Sequence, residues 1–128
     1  MSQAHDAFST IVSQIKAGGV VNAGHAVVIS NGTWVQCTAA QTAQGIYVGD
    51  ADCASGDYIP VCVLGACKAF SDGSSAIAIG AVLANDSNGH QVVDTTDKHK
   101  LSGMALEALA SGTGMIEIVF VPGLFNAA

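Results

Sequence analysis

Residues 45–65, GIYVGDADCASGDYIPVCVLG, and residues 103–123, GMALEALASGTGMIEIVFVPG, are two versions of one stretch, equal in length and bounded by glycines. The likeness extends upstream. Gly24 precedes AVVIS, then Asn31-Gly32, then TWVQCT; Gly80 precedes AVLAN, then Asn88-Gly89, then HQVVDT, with offsets between copies of 56 to 58 residues. Asn-Gly flanked by β-branched residues is a hairpin signal, because the pair supplies the positive φ that tight type I′ turns demand. Each hairpin leads through a polar linker, AAQTAQ or TDKHKLS, into the glycine-bounded stretch. By propensity alone GMALEALASG reads as helix, since Ala, Leu, Met and Glu are strong helix formers. The run is too short to repay helix nucleation, and its counterpart around Tyr47 and Val48 is a poor helix. It is therefore expected to form a short strand and a turn.

A twofold repeat of short strands punctuated by 15 glycines predicts an all-β domain, a barrel or sandwich built from two similar halves. The halves fall at about residues 23–65 and 79–123, within a single β domain spanning 18–128. Aligned by their glycines, Val61 and Val63 match Val119 and Val121. Residues 1–17 form an N-terminal arm and first strand. Phe8, Ile11, Val12 and Ile15 fit an amphipathic helix, while Ile11, Ser13 and Ile15 fit an alternating strand. A strand from about residue 9 is the preferred reading.

Charge narrows the partners. Four basic residues face ten carboxylates for a net charge of −6, the wrong sign for gathering phosphates, so nucleic acid is not an expected partner. No run of eighteen apolar residues suggests a membrane span, and MSQAHDAFSTIVSQIK lacks the basic and apolar regions of a signal peptide. Synthesis in a cytoplasm is expected, and with it reduced thiols at Cys37, Cys53, Cys62 and Cys67. Only 11% of residues are charged, so the surface is either neutral and polar or covered by a partner.

No catalytic constellation is visible: neither a nucleophile elbow nor a phosphate-binding loop occurs. No cofactor or metal is expected. The intervals of 15, 8 and 4 residues between cysteines fit no zinc ribbon. Asp50, Asp52 and Asp57 in GDADCASGD offer oxygen ligands of the kind calcium takes, yet the second copy replaces them and no bidentate Glu follows. They read as turn formers. The strand MIEIVFV is more informative. Ile116, Ile118 and Phe120 lie on one face and Met115, Glu117, Val119 and Val121 on the other, so both faces are apolar apart from Glu117. One face belongs to the core, the Phe120 face on this reading, and the other is expected to meet another subunit or a larger surface.

Gly-Gly-Val at 18–20 before a GxxVxI strand, the glycine-led strand with its Ala-Ser-Gly turn, and above all GMALEALASGTGMIEIVF together resemble the head decoration, or capsid cement, proteins of tailed bacteriophages. The resemblance spans roughly residues 10–121; the cysteines and the longer, less basic N-terminus depart from the pattern. It implies a β-tulip or barrel domain on the outer surface of the virion head, without enzymatic activity. It further implies a homo-oligomer, a trimer foremost, with the major capsid protein as partner. The candidate interface residues are Phe8, Ile11, Val12 and Ile15 in the arm, Trp34, and Val119 and Val121 on the outer strand face, with Trp34 equally suited to the core. The competing readings are a small-ligand or glycan-binding β module, and another virion subunit such as a tail-tube protein.

Overall fold

The computed structural model describes residues 9–38, 41–93 and 101–122, and among these there are strands but no helix. The strands are β1 (Ser9–Val12), β2 (Ala26–Ser30), β3 (Thr33–Gln36), β4 (Gly45–Tyr47), β5 (Val61–Asp72), β6 (Val82–Asn85), β7 (Gln91–Val93), β8 (Leu101–Ala105) and β9 (Thr113–Phe120). The fold is all-β. The stretch that propensity assigned to helix becomes β8 and the bend after it, because Leu101, Gly103 and Ala105 are drawn into ladders with β6 and β9.

Strands β5, β7, β6, β8 and β9 hydrogen-bond in a closed ring, sealed by the antiparallel β5–β9 ladder. The same pairings occur upstream. There β2 pairs with β3 and β4, β4 with the start of β5, and β1 with β5. A parallel bridge between Ala17 and Trp34 completes this set, as the parallel pair Ser71–Gln91 completes the other. Even the isolated bridges correspond: Val21–Cys53 in one set, Ile77–Leu109 in the other. The residues CKAFSD, left between the halves by the sequence reading, are the second part of β5 and stand where β1 stands upstream.

The ladders also correct the alignment inside the repeat. Tyr47 pairs with Val61 and Ala105 with Ile118, so Val61 corresponds to Ile118 and not to Val119. Because side chains alternate, one residue of slip exchanges the faces. Burial follows the ladder: Val61 and Ile118 are both fully buried, whereas Val119 is half-buried.

The two hairpins close differently. At Asn31-Gly32 both residues have positive φ, 53° and 77°, in a two-residue loop between Ser30 and Thr33, as a type I′ turn requires. At the second site only Gly89 does so, with φ 78°. Its loop is longer because the Asp86 carboxylate accepts hydrogen bonds from the backbone N–H groups of Asn88 and His90, at 2.8 and 3.0 Å. An aspartate two residues upstream thus changes the turn.

Two apolar clusters fill the structure. Trp34, Tyr47, Val21, Val27, Ile59 and Val61 pack inside the upstream set, with Val12 and Ile15 against them. Leu83, Ile116, Ile118, Phe120, Ile77 and Cys67 fill the closed ring. Alternate residues of β2, β4 and early β5 reach the second cluster as well: Val28, Ile46 and Cys62 belong to it. These strands are apolar on both faces because the other half of the chain covers the outer one. For YIPVCVL the second covering surface is thus intramolecular.

All four cysteines are buried and free. Burial pushes the Cys37 thiol up to about 12. The Cys67 thiol hydrogen-bonds the Cys62 sulfur, which lowers Cys62 and raises Cys67. Two expectations follow from the packing. A Cβ on Gly103, held at φ 152°, would fall on the carbonyl oxygen of Val119, so Gly103→Ala should cost more than about 2 kcal/mol in urea unfolding. Cys37 holds its proton more tightly folded than unfolded, so its contribution to stability is present below the ordinary thiol range. That contribution is lost as pH rises towards about 12, and Cys37→Ala should flatten the alkaline loss in urea melts.

Candidate assembly face

Strand β9 alternates strictly. Ile116, Ile118 and Phe120 point inward and are almost wholly buried, while Met115, Glu117 and Val119 point outward. The inward face supplies the core, and the outward face stays partly exposed. Across the sheet, ladder partners place Val82 opposite Met104, Met104 opposite Val119 and Val119 opposite Ala66. An apolar rung therefore crosses four adjacent strands. Val82 and Met104 are each 38% exposed, and Val119 and Ala66 are half-buried. Val121 continues the line beyond β9, tied by its N–H to the Ser102 carbonyl at 2.8 Å.

The next rung is charged. Lys68 pairs with Glu117 across the ladder, its amine lies 3.9 Å from the Glu107 carboxylate, and Glu107 accepts the Glu117 N–H at 2.7 Å. Exposed pairs of this kind add little stability. They border the apolar rung with a polar edge, the arrangement that protein interfaces use around an apolar centre.

Ser9 and Phe120 both pair with Gly65, one on each side of it, so β1 and β9 flank β5 on opposite edges at this point. Ser9 thus lies one strand away from the end of β9. Of the arm candidates, Phe8 lies outside the described residues. Ile11 is 47% exposed and faces out, beside the exposed Leu64. Val12 and Ile15 are half-buried and pack on the upstream cluster, so they spend much of their surface inside. Trp34 is 2% exposed and belongs to the core. It takes that place because β3 is closed over by Lys16 to Gly18: the Trp34 N–H donates to the Lys16 carbonyl and its own carbonyl accepts from Gly18, both at 2.9 Å.

Alternation in the sequence set Val119 on the outer side of β9, where the structure has it. It gave no sign that Val82 and Met104 share a rung with Val119, which only the ladder register shows. The aspartates of GDADCASGD are held in turns: Asp52 accepts from the Asn22 side chain and the Ala23 N–H, both at 2.9 Å, and Asp57 accepts from the Ala54 N–H. Those donors hold the exposed Asp52 carboxyl below the usual carboxylate range. A shallow depression of about 330 Å³ is lined by Ala23, Val48, Gly49, Asp50, Lys68 and Met115. Its lining offers one carboxylate and one amine, with no aromatic platform for a sugar ring.

The sequence has no significant match among curated proteins. Among solved structures it is similar to the N base of the head fiber protein gp8.5 of bacteriophage phi29. The TM-score is 0.66 and the identity 24%, with 87% of this chain and 94% of that one covered, which establishes a shared fold. A family model described as phage cement protein matches residues 5–120. With nearly its whole length matched, the chain belongs to the phage cement protein family.

Proposed function

We propose that this cement-family protein sits on the outer surface of a tailed-phage head, as a homotrimer, and clamps neighbouring major capsid subunits so that the expanded shell resists internal pressure. The observation that carries the reading is the apolar rung Val82–Met104–Val119–Ala66, on the outer side of a closed ring whose inner side is already filled. An apolar strip bordered by charge suits a surface that is wet before assembly and dry after it. Each copy would remove a modest apolar area from water at about 25 cal/mol per Å², and many copies acting on one shell would multiply the effect. Ser9 pairs with Gly65, next to Ala66 at one end of this strip, and the residues before it, Phe8 among them, are the proposed second contact to a neighbouring subunit. Catalysis plays no part in this role.

Three variants test it. Phe120→Asp places an unpaired carboxylate in the closed ring and should unfold the domain, read by circular dichroism, because such burial costs several kcal/mol. Val119→Asp lies on the outer face and should keep the fold while abolishing co-sedimentation with expanded heads that lack the protein. Removal of residues 1–8 should also keep the fold and weaken head binding. Removal as far as residue 17 should not, because Val12, Ile15 and Ala17 pack in the upstream cluster. The assembly role is wrong if both Val119→Asp and the 1–8 deletion decorate heads as well as the intact protein does.

A further inference from the structure

We propose that Asp72, Asp86 and His90 form a binding site for a divalent transition-metal ion of the zinc type, which fastens the seam of the closed ring. One ligand atom from each of the three lies within 4.8 Å of the others. They come from the end of β5, the β6–β7 loop and the residue before β7, and are brought together only by the fold. The intervals between them, unlike those of a zinc ribbon, leave no mark in the sequence.

The donor set suits such an ion. Asp72 uses Oδ1 to accept from the N–H and hydroxyl of Ser74, at 2.9 and 2.6 Å, and Asp86 uses Oδ1 for the N–H groups of Asn88 and His90. Both carboxylates are thereby oriented, with Oδ2 left over. The independent observation is on the imidazole. His90 Nδ1 is shut off from solvent and has no hydrogen-bond partner. Asp86 Oδ2 lies only 3.2 Å away, yet the pair lacks hydrogen-bond geometry, so the oxygen sits off the line along which the nitrogen's proton or lone pair points. An ion on that line, about 2 Å from the nitrogen, would satisfy an orphaned buried atom and take both free carboxylate oxygens. A spacing near 3.2 Å between two donors is what bonds of about 2.1 Å to a shared ion produce. Imidazole nitrogen among the donors favours zinc, cobalt or nickel over magnesium or calcium. The ring is held in place by edge contacts with Phe70 and His25, at centroid distances of 4.9 and 4.8 Å.

The position explains what the ion would do. The β5–β7 pairing rests on Ser71 opposite Gln91, and Asp72 and His90 are their immediate neighbours in the chain. A shared ion would tie the two strands where the ring has its shortest ladder. The equivalent bridge upstream, Ala17–Trp34, is flanked by Gly18 and Thr33, which offer no such ligands.

The test is cobalt(II) and zinc titration of the intact protein at neutral pH, followed by visible absorption, calorimetry and thermal melting. One cobalt per chain is expected, with d–d bands but no thiolate charge-transfer band, and zinc should raise the melting temperature. Asp72→Asn, on an accessible turn, and His90→Gln should each weaken binding at least about tenfold. Absence of stoichiometric binding overturns the proposal. So does a thiolate band, which would place the ion on the cysteines, or affinity unchanged in Asp72→Asn, a variant that does not disturb the core should His90→Gln fail to fold. None of these readouts involves phage heads, so the site stands or falls separately from the assembly role.

Discussion

Strand β5 is the constraint on which the rest depends. Its first residues, Val61 to Leu64, complete the upstream strand set, and Gly65 to Asp72 complete the downstream ring. One strand serves both, so the two units cannot move independently without breaking a ladder. The changeover falls at Gly65, whose φ of 105° only glycine adopts without strain, and there β5 pairs at once with the start of β1 on one edge and the end of β9 on the other. The same crossing brings Cys62 and Cys67 together, one sulfur hydrogen-bonded to the other. Junction packing is reinforced from the loops: the Phe70 N–H donates to the Gly24 carbonyl at 2.9 Å, and the Ala26 N–H to the Gly89 carbonyl at 3.0 Å.

Equivalent topology does not mean equivalent interiors. Trp34 and Gln91 occupy matching places at the parallel seams, and each keeps one buried polar atom without a partner, Nε1 in one and Oε1 in the other. Around Trp34 the interior is apolar and aromatic. Around Gln91 it is a polar chain: Gln91 donates to Asn85 Oδ1 at 3.0 Å, and Asn85 donates to the Gln41 carbonyl at 3.0 Å. Buried networks of this kind fix register more than they add stability, since a slipped strand would strand several donors at once. The downstream ring is thus specified by polar pairing and the upstream set by the bulk of one indole.

The parts legible in the sequence were those governed by local rules. Asn31-Gly32 announced its turn, and the twofold repeat outvoted helix propensity in GMALEALASG. Alternation in MIEIVFV separated the Phe120 face from the Val119 face correctly. What escaped notice depends on register and on distant partners. Cys67 to Phe70 carry no turn signal and no repeat partner in the glycine alignment, so their role as a ring strand was invisible. The one-residue displacement that matches Val61 to Ile118 is set by pairing with β4 and β8, which glycine spacing does not encode. Trp34 suited core and interface equally by composition. The closure over β3 by Lys16 to Gly18 decided between them. Val82 and Met104 became part of the outer strip only when the ladder placed them beside Val119.

The low charge of the chain can now be divided between two causes. Part of it is internal, because β2, β4 and early β5 bury both faces and have little room for charge on either. The remainder lies outside, where Ile11, Leu64, Val82, Met104, Leu106 and Met115 are exposed apolar side chains on the strands and bends around β9 and β1. Scattered singly, such residues need no explanation. Here the ladder aligns Val82 and Met104 with Val119 into a strip, and the junction at Gly65 sets Ile11 and Leu64 beside its end. On the proposed role, this strip, which runs round the outside of the ring, meets one neighbour. On the same role, the residues before Ser9 reach a second. The proposed role requires those two contacts to be mechanically connected, and β5, paired with both β1 and β9, would be the element through which strain at either contact reaches the other.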